Sequence, residues 1–206
     1  MKNIEPLLTR SGDLMNNMEN IIEILDSGTV EEKIKNLEFL SGTNNIEIIQ
    51  KIISKLDDAD IKVRGEAFSA LVLNENNISG LLVNNLKSQN KNIRGYTALV
   101  LANRNDANAV SEIINLLDDQ SSMVKACALG ALGFLKAKEA KEAIYDCLSD
   151  SNVEVRKSAL QAIIDLGYSL SESEIKELSK QQDSELERLL VSVKKESDRK
   201  GFEPSI

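Results

Sequence analysis

The chain has 206 residues, no histidine, no tryptophan and a net charge of −8, and aromatic side chains make up 3% of it. Without histidine it lacks the usual general base near neutral pH and the commonest metal ligand, and its acidity argues against a nucleic-acid partner, which would need clustered Lys and Arg. No run of about 18 apolar residues is present, so no membrane span is expected, and the opening MKNIEPLLTR lacks the apolar core of a secretory signal, which makes the cytoplasm the expected location.

Residues 1–24 read as an N-terminal cap. Pro6 and Ser11-Gly12 interrupt any early helix, and Asp13 is placed to cap one whose apolar face runs Leu14, Met18, Ile21, Ile22 and Leu25. From there the chain repeats. Leu25, Leu56, Leu86, Leu117 and Leu148 open successive copies in steps of 31, 30, 31 and 31 residues, a period that signals stacked repeats. Four residues after each leucine stand Thr29, Asp60, Asn90, Ser121 and Asn152, all N-cap types, and Glu32 completes a capping box with Thr29.

A first helix follows in each copy. Val63, Ile93, Val124 and Val155 each precede a base (Arg64, Arg94, Lys125, Arg156), and the spacing beyond is helical. Val63, Ala67, Ala70 and Leu71 share one face, and so do Ile93, Thr97, Val100 and Leu101. The small residues predict close helix–helix approach. The first copy departs, with Glu32 and Asn36 in these columns. Asn44, Asn74, Asn105 and Lys136 then break the pattern before a second apolar helix, for example Val110, Ile113, Ile114 and Leu117, or Ala140, Ile144, Tyr145 and Leu148. Two helices of roughly 11–12 residues with short turns account for the period. After Leu166 the connection lengthens through Gly167-Tyr168-Ser169-Leu170, and Ser171 with Glu174 and Ser184 with Glu187 spell two further capping boxes. Gly201, Phe202 and Pro204 end the chain.

The pattern Leu-x-Asp-x4-Val-Arg-x2-Ala-x2-Ala-Leu, carried in full by Leu56, Asp58, Val63, Arg64, Ala67, Ala70 and Leu71, resembles HEAT repeats, in the short subtype first associated with phycobilin lyases. Leu148, Asp150, Val155, Arg156, Ala159 and Ala162 repeat it, with Ile163 for the final Leu. The signatures of tetratricopeptide and ankyrin units are missing. The resemblance covers about residues 25–166 and implies an all-α fold, an α-α superhelix (solenoid) of about five HEAT-like helix pairs with N- and C-terminal capping helices. The expected organisation is one repeat domain over 1–206, with repeats over 25–170 and capping helices and tail over 171–206. The resemblance also implies an inter-repeat ladder from the acid and base columns: Asp58, Arg64, Arg94, Asp119, Lys125, Asp150 and Arg156, with Ser88 replacing one acid.

These columns recur in every copy, whereas a catalytic group is needed once, so no catalytic residue is assigned. Neither a phosphate loop nor a nucleophile elbow is present, and Cys127 and Cys147, each in an apolar helical stretch, read as free buried thiols rather than a disulfide or metal pair. No cofactor or metal is expected. In such solenoids the second helices line the concave surface, where binding tends to occur. Their outward columns form an Asn-rich stripe of Asn77, Leu81, Asn84, Asn108, Glu112, Asn115 and Tyr145. The expected function is a non-catalytic scaffold that binds a protein or peptide there. A bilin lyase or lyase-like subunit is the alternative implied by the repeat subtype. A HEAT-like DNA glycosylase is disfavoured by the acidity and the absence of Trp.

Overall fold

The computed structural model describes residues 18–180 and 183–200, with side chains as far as Val193. The expected Asp13 cap and the tail at Gly201, Phe202 and Pro204 lie outside the described residues. All regular structure among the described residues is helical, and the chain divides into two compact units, Met1–Leu81 and Leu82–Ile206.

The first unit contains α1 (residues 18–27), α2 (Val30–Phe39), α3 (Ile46–Ser54) and α4 (Ile61–Leu73). Thr29 and Glu32 form the expected capping box at α2. Asn45, one residue later than the expected break at Asn44, caps α3, and Asp60 caps α4. The core is aliphatic: Leu25, Leu37, Ile49, Ile52, Ile53, Leu56, Val63, Ala67 and Leu71 are all essentially inaccessible. Asn74, buried at the end of α4, donates to the Thr43 carbonyl at 2.8 Å and so ties α4 to the α2–α3 loop.

Helix α5 (Ser79–Asn85) lies at the division. The second unit continues with α6 (Lys91–Asn103), α7 (Val110–Ile114), α8 (Ser122–Phe134), α9 (Lys141–Asp146), α10 (Val153–Asp165), α11 (Glu172–Ser179) and α12 (Ser184–Lys200). The two helices of a copy are less equal than expected. First helices α6, α8 and α10 each have 13 residues, whereas α7 and α9 have 5 and 6 and are flanked by 3-10 turns. The turns at Ala107–Ala109 and Lys138–Ala140 carry no side-chain cap. Their tight i→i+3 bonds satisfy N–H groups that a cap would otherwise have to meet.

Three first helices of this unit end alike. Asn105 and Lys136 have φ of 54° and Gly167 a φ of 68°, and the residue after each donates back across the helix end: Asp106 N to Leu101 O, Ala137 N to Leu132 O and Tyr168 N to Ile163 O, at 2.9–3.1 Å. This left-handed closure accounts for the break in the hydrophobic pattern. Two expected caps differ. Ser121 holds the N-cap position of α8 without a side-chain bond. At α12 it is Asp183, not Ser184, that receives the N–H groups of Glu185 and Leu186, at 3.0 and 2.9 Å, because a carboxylate also complements the positive helix end.

Helices α6, α8 and α10 pack closely through small residues. A Cβ on Gly95 would stand 3.0 Å from Met123 Sδ, and one on Gly133 would stand 3.2 Å from Ala162 Cα. Thr97, in the column that holds Ala67, Ala128 and Ala159, is fully buried with its hydroxyl unbonded. Gly65 is the opposite case, exposed in mid-helix, where an added methyl group would meet nothing within 4 Å. Gly65→Ala is therefore expected to raise stability by about 0.5–1 kcal/mol through lower unfolded-state entropy and better helix propensity. Chemical denaturation followed by far-ultraviolet circular dichroism measures this, and a loss of stability would contradict it.

Candidate binding surface

In the second unit the second-helix columns repeat at the period of the fold. Asn84, Asn115 and Asp146 each stand two residues before a core leucine (Leu86, Leu117, Leu148), and Asn108 and Glu139 stand nine before Leu117 and Leu148. All five are exposed, while the leucines are buried. The packing of Ile113, Leu117, Ile144 and Leu148 into the core thus obliges the opposite columns to face solvent. Glu112 is half-buried, accepts from Asn115 Nδ2 at 3.4 Å and lies 3.8 Å from Lys87 Nζ. Asn77, exposed, and Leu81, half-buried, belong to the first unit.

Two adjoining clefts of the second unit border these columns. One, of about 340 Å³, is lined by Asn115, Asp118, Lys125, Asp146 and Asp150 over an apolar floor that includes Ile114 and Cys147. The other, of about 600 Å³, is lined by Arg156, Ser173, Glu174, Glu177 and Leu178. Ser149 and Asp150 border both. Tyr145, expected at the end of the stripe, is half-buried, and its Oη donates to the Ser169 carbonyl at 2.7 Å.

The acid and base columns pair differently from their six-residue spacing. Arg94 forks onto Asp119, with Nε–Oδ2 at 2.7 Å and Nη2–Oδ1 at 2.9 Å, and Lys125 reaches Asp150 at 2.8 Å, both across 25 residues. In the first unit Lys33 meets Asp58 at 3.0 Å across the same interval. Each of these bases therefore bonds the acid of the following copy. Toward its own copy the arginine of this column makes backbone contacts: Arg94 Nη1 donates to the Ser88 and Gln89 carbonyls, Arg64 Nη1 to those of Asp58 and Ala59, and Arg156 Nη1 to those of Asp150 and Ser151.

The reason lies in the loop. Asp58, Asp119 and Asp150 use one carboxylate oxygen to receive the N–H two residues on, at 3.0, 2.8 and 2.7 Å, and the other oxygen turns toward the preceding base, with Asp119 Oδ1 shared between the Ser121 N–H and Arg94 Nη2. Ser88 keeps the local bond, accepting from Asn90 N at 3.2 Å, but supplies no charge. Burial opposes ionisation of Asp119, yet Arg94 and the Ser121 N–H outweigh it and hold its carboxyl below the usual range. Asp150 is lowered chiefly by Lys125, then by the Asn152 N–H. Lys33 is a rung that the sequence columns leave out, although it stands eight after Leu25, in the column of Arg64 and Arg94.

These geometries order the loops and tie each copy to the next. Burial pushes the thiols of Cys127 and Cys147 up to about 11, far from the depressed values of reactive thiolates. Both are free, and Cys127 Sγ rests 3.6 Å from Met123 Sδ. Among the described residues no group of three or more Cys, Asp or Glu side chains is placed to hold a metal, and no helix is long and apolar enough to cross a membrane.

Residues 79–164 match the family model for HEAT repeats, so the repeat resemblance holds over that segment. No curated protein matches the chain. Solved structures share the helical-repeat fold. An engineered protein is 20% identical, with a TM-score of 0.54, over 89% of this chain and 97% of its own. A designed armadillo repeat protein in complex with the peptide (KR)4 is 20% identical, with a TM-score of 0.52, over 86% and 98%. A chain from the complex of CpcE and CpcF of phycocyanin lyase from Nostoc sp. PCC7120 is 21% identical, with a TM-score of 0.51, over 84% and 74%. The chain is thus similar in fold to binding scaffolds and to part of a lyase.

Proposed function

We propose that the protein is a non-catalytic interaction scaffold whose second unit receives an extended peptide segment of a partner along the columns of Asn84, Asn108, Asn115, Glu139 and Asp146. The observation that carries this reading is the recurrence of exposed amide and carboxylate side chains at the repeat period on one set of helices. An extended peptide presents backbone N–H and C=O groups in regular alternation, and an Asn side chain can both donate and accept. The likeness to a designed repeat protein that holds a peptide supports the reading.

Selection of displayed random peptides on the wild-type protein, followed by affinity measurement on an Asn84→Arg/Asn115→Arg variant, tests it. Both positions are exposed, so the variant is expected to keep its stability within about 0.5 kcal/mol. Selected peptides should bind it at least tenfold more weakly. Equal binding would move the site off these columns, and failure to select any peptide would remove the reading.

A second reading, a bilin-lyase-like subunit, draws on the repeat subtype and on the lyase neighbour. Incubation with a bilin and an acceptor protein decides it: transfer of colour to the acceptor supports the lyase reading, and unchanged absorbance excludes it.

A further inference from the structure

Two tyrosines of the second unit share one cation. Tyr145, on α9, and Tyr168, in the loop after α10, stand with ring centroids 6.4 Å apart and planes tilted by 45°. The ammonium of Lys141, one turn before Tyr145, lies 5.8 Å from one ring centre and 5.4 Å from the other. Both distances fall within reach of the attraction between a cation and the face of an aromatic ring. Tyr145 is anchored through its bond to the Ser169 carbonyl, whereas Lys141 is exposed. Tyr145 is thus the anchored member of the arrangement and Lys141 the solvent-facing one.

Two carboxylates act on the pair. Burial first, then the charges of Glu174 and Glu142, push the Tyr145 hydroxyl above its ordinary pKa, which puts two carboxylates within electrostatic reach of the ring.

We propose that the Tyr145–Tyr168 pair is a receptor for a Lys or Arg side chain of a basic peptide, and that Lys141 fills it until such a peptide arrives. The inference rests on the reading of the second unit as a peptide-binding surface and names the class of peptide. An incoming cation gains two ring faces and flanking carboxylates. An acidic segment meets like charge at Glu142 and Glu174, and an uncharged one gains nothing from the rings. Arginine suits the site better than lysine, because its planar guanidinium stacks on aromatic faces and is more weakly hydrated. The chain's net charge of −8 steers the same partner toward it.

The test is fluorescence-anisotropy titration with a labelled octapeptide of alternating Lys and Arg, beside octapeptides of Glu and of Ser. The basic peptide should bind wild type and the other two should not. Tyr168→Ala should weaken binding about 3–10-fold, while Tyr168→Phe, which keeps the ring, should stay within about twofold. Lys141→Ala should tighten binding about threefold or more by vacating the site and removing a like charge. Circular dichroism on each variant separates loss of binding from loss of fold. Binding weakened by Asn84→Arg/Asn115→Arg but indifferent to Tyr168→Ala and Lys141→Ala would overturn the receptor and leave the peptide surface standing. Selection of neutral or acidic peptides in place of the basic one would do the same. Absence of binding by every peptide would overturn both.

Discussion

Arg94→Ala is expected to lower the unfolding free energy of the second unit by about 2–3 kcal/mol. The substitution removes a bidentate pair with Asp119 and two bonds to the carbonyls of Ser88 and Gln89. Side-chain exposure of 17% for Arg94 and 10% for Asp119 makes this a largely desolvated pair. Breaking a fully buried pair from one side typically costs about 3–5 kcal/mol, because the remaining charge stays uncompensated, and partial exposure reduces that figure. Arg94→Lys should fall between the two proteins, since an ammonium keeps the charge but cannot fork. Urea denaturation of the three proteins checks the order, and an Arg94→Ala protein as stable as wild type would show that the rung contributes nothing.

The same pair fixes the direction of the pH response. The carboxyls of Asp119 and Asp150 are held below their ordinary value in the folded chain. Their contribution is therefore fully present above the unfolded value of about 3.9 and is lost as pH falls through the lower folded values. Stability from these rungs should be level from neutral pH down to about pH 5 and should drop below about pH 4. The Arg94→Ala penalty should shrink over the same acid range as Asp119 becomes neutral. Lys125 is raised by Asp150, so its contribution holds below its unfolded value and fades only in strong alkali.

Gly133→Val is expected to cost about 3 kcal/mol. Gly133 is buried in α8, and a Cβ there would stand 3.1 Å from Asp165 Oδ2, 3.2 Å from Ala162 Cα and 3.4 Å from Ala162 Cβ. All of these atoms belong to the facing α10, one of them backbone, so the strain is relieved only by moving a helix that Ala159, Leu160 and Ile163 hold in the core. Gly130, one turn earlier, is exposed, and a Cβ there would have its nearest neighbour, Leu99 Cδ2, at 3.8 Å. Gly130→Ala should therefore raise stability by about 0.5–1 kcal/mol. Opposite signs at two glycines of one helix would establish the close α8–α10 contact. Tolerance of valine at Gly133 would contradict it.

The repeat is legible in the sequence because its columns are set by local rules. A leucine every 30 or 31 residues, an N-cap type four later and an apolar stripe at helical spacing each depend on neighbours within one or two turns. The ladder is legible only as composition. Asp58 and Arg64 are six apart in sequence, yet the carboxylate serves Lys33, because chain direction around the loop decides which oxygen is free. That choice belongs to tertiary geometry, and Lys33 is hidden behind the atypical Glu32 of its copy. Periodicity places the exposed columns, since burying one face of a helix forces the other outward. Tyr168 carries no local signal: it sits in an irregular connection, and only the fold brings its ring within 6.4 Å of Tyr145.

Amide hydrogen exchange of the protein with and without a selected peptide tests the central claim most directly. A peptide lying along the proposed columns should slow exchange at α7, α9 and their flanking turns, around Asn108–Asp118 and Glu139–Ser149. The solvent side of α8 near Gly130 and Phe134, exposed on the first helix of the same copy, should remain unchanged. Protection confined to the first helices, or to α12, would place the binding surface elsewhere and contradict the account.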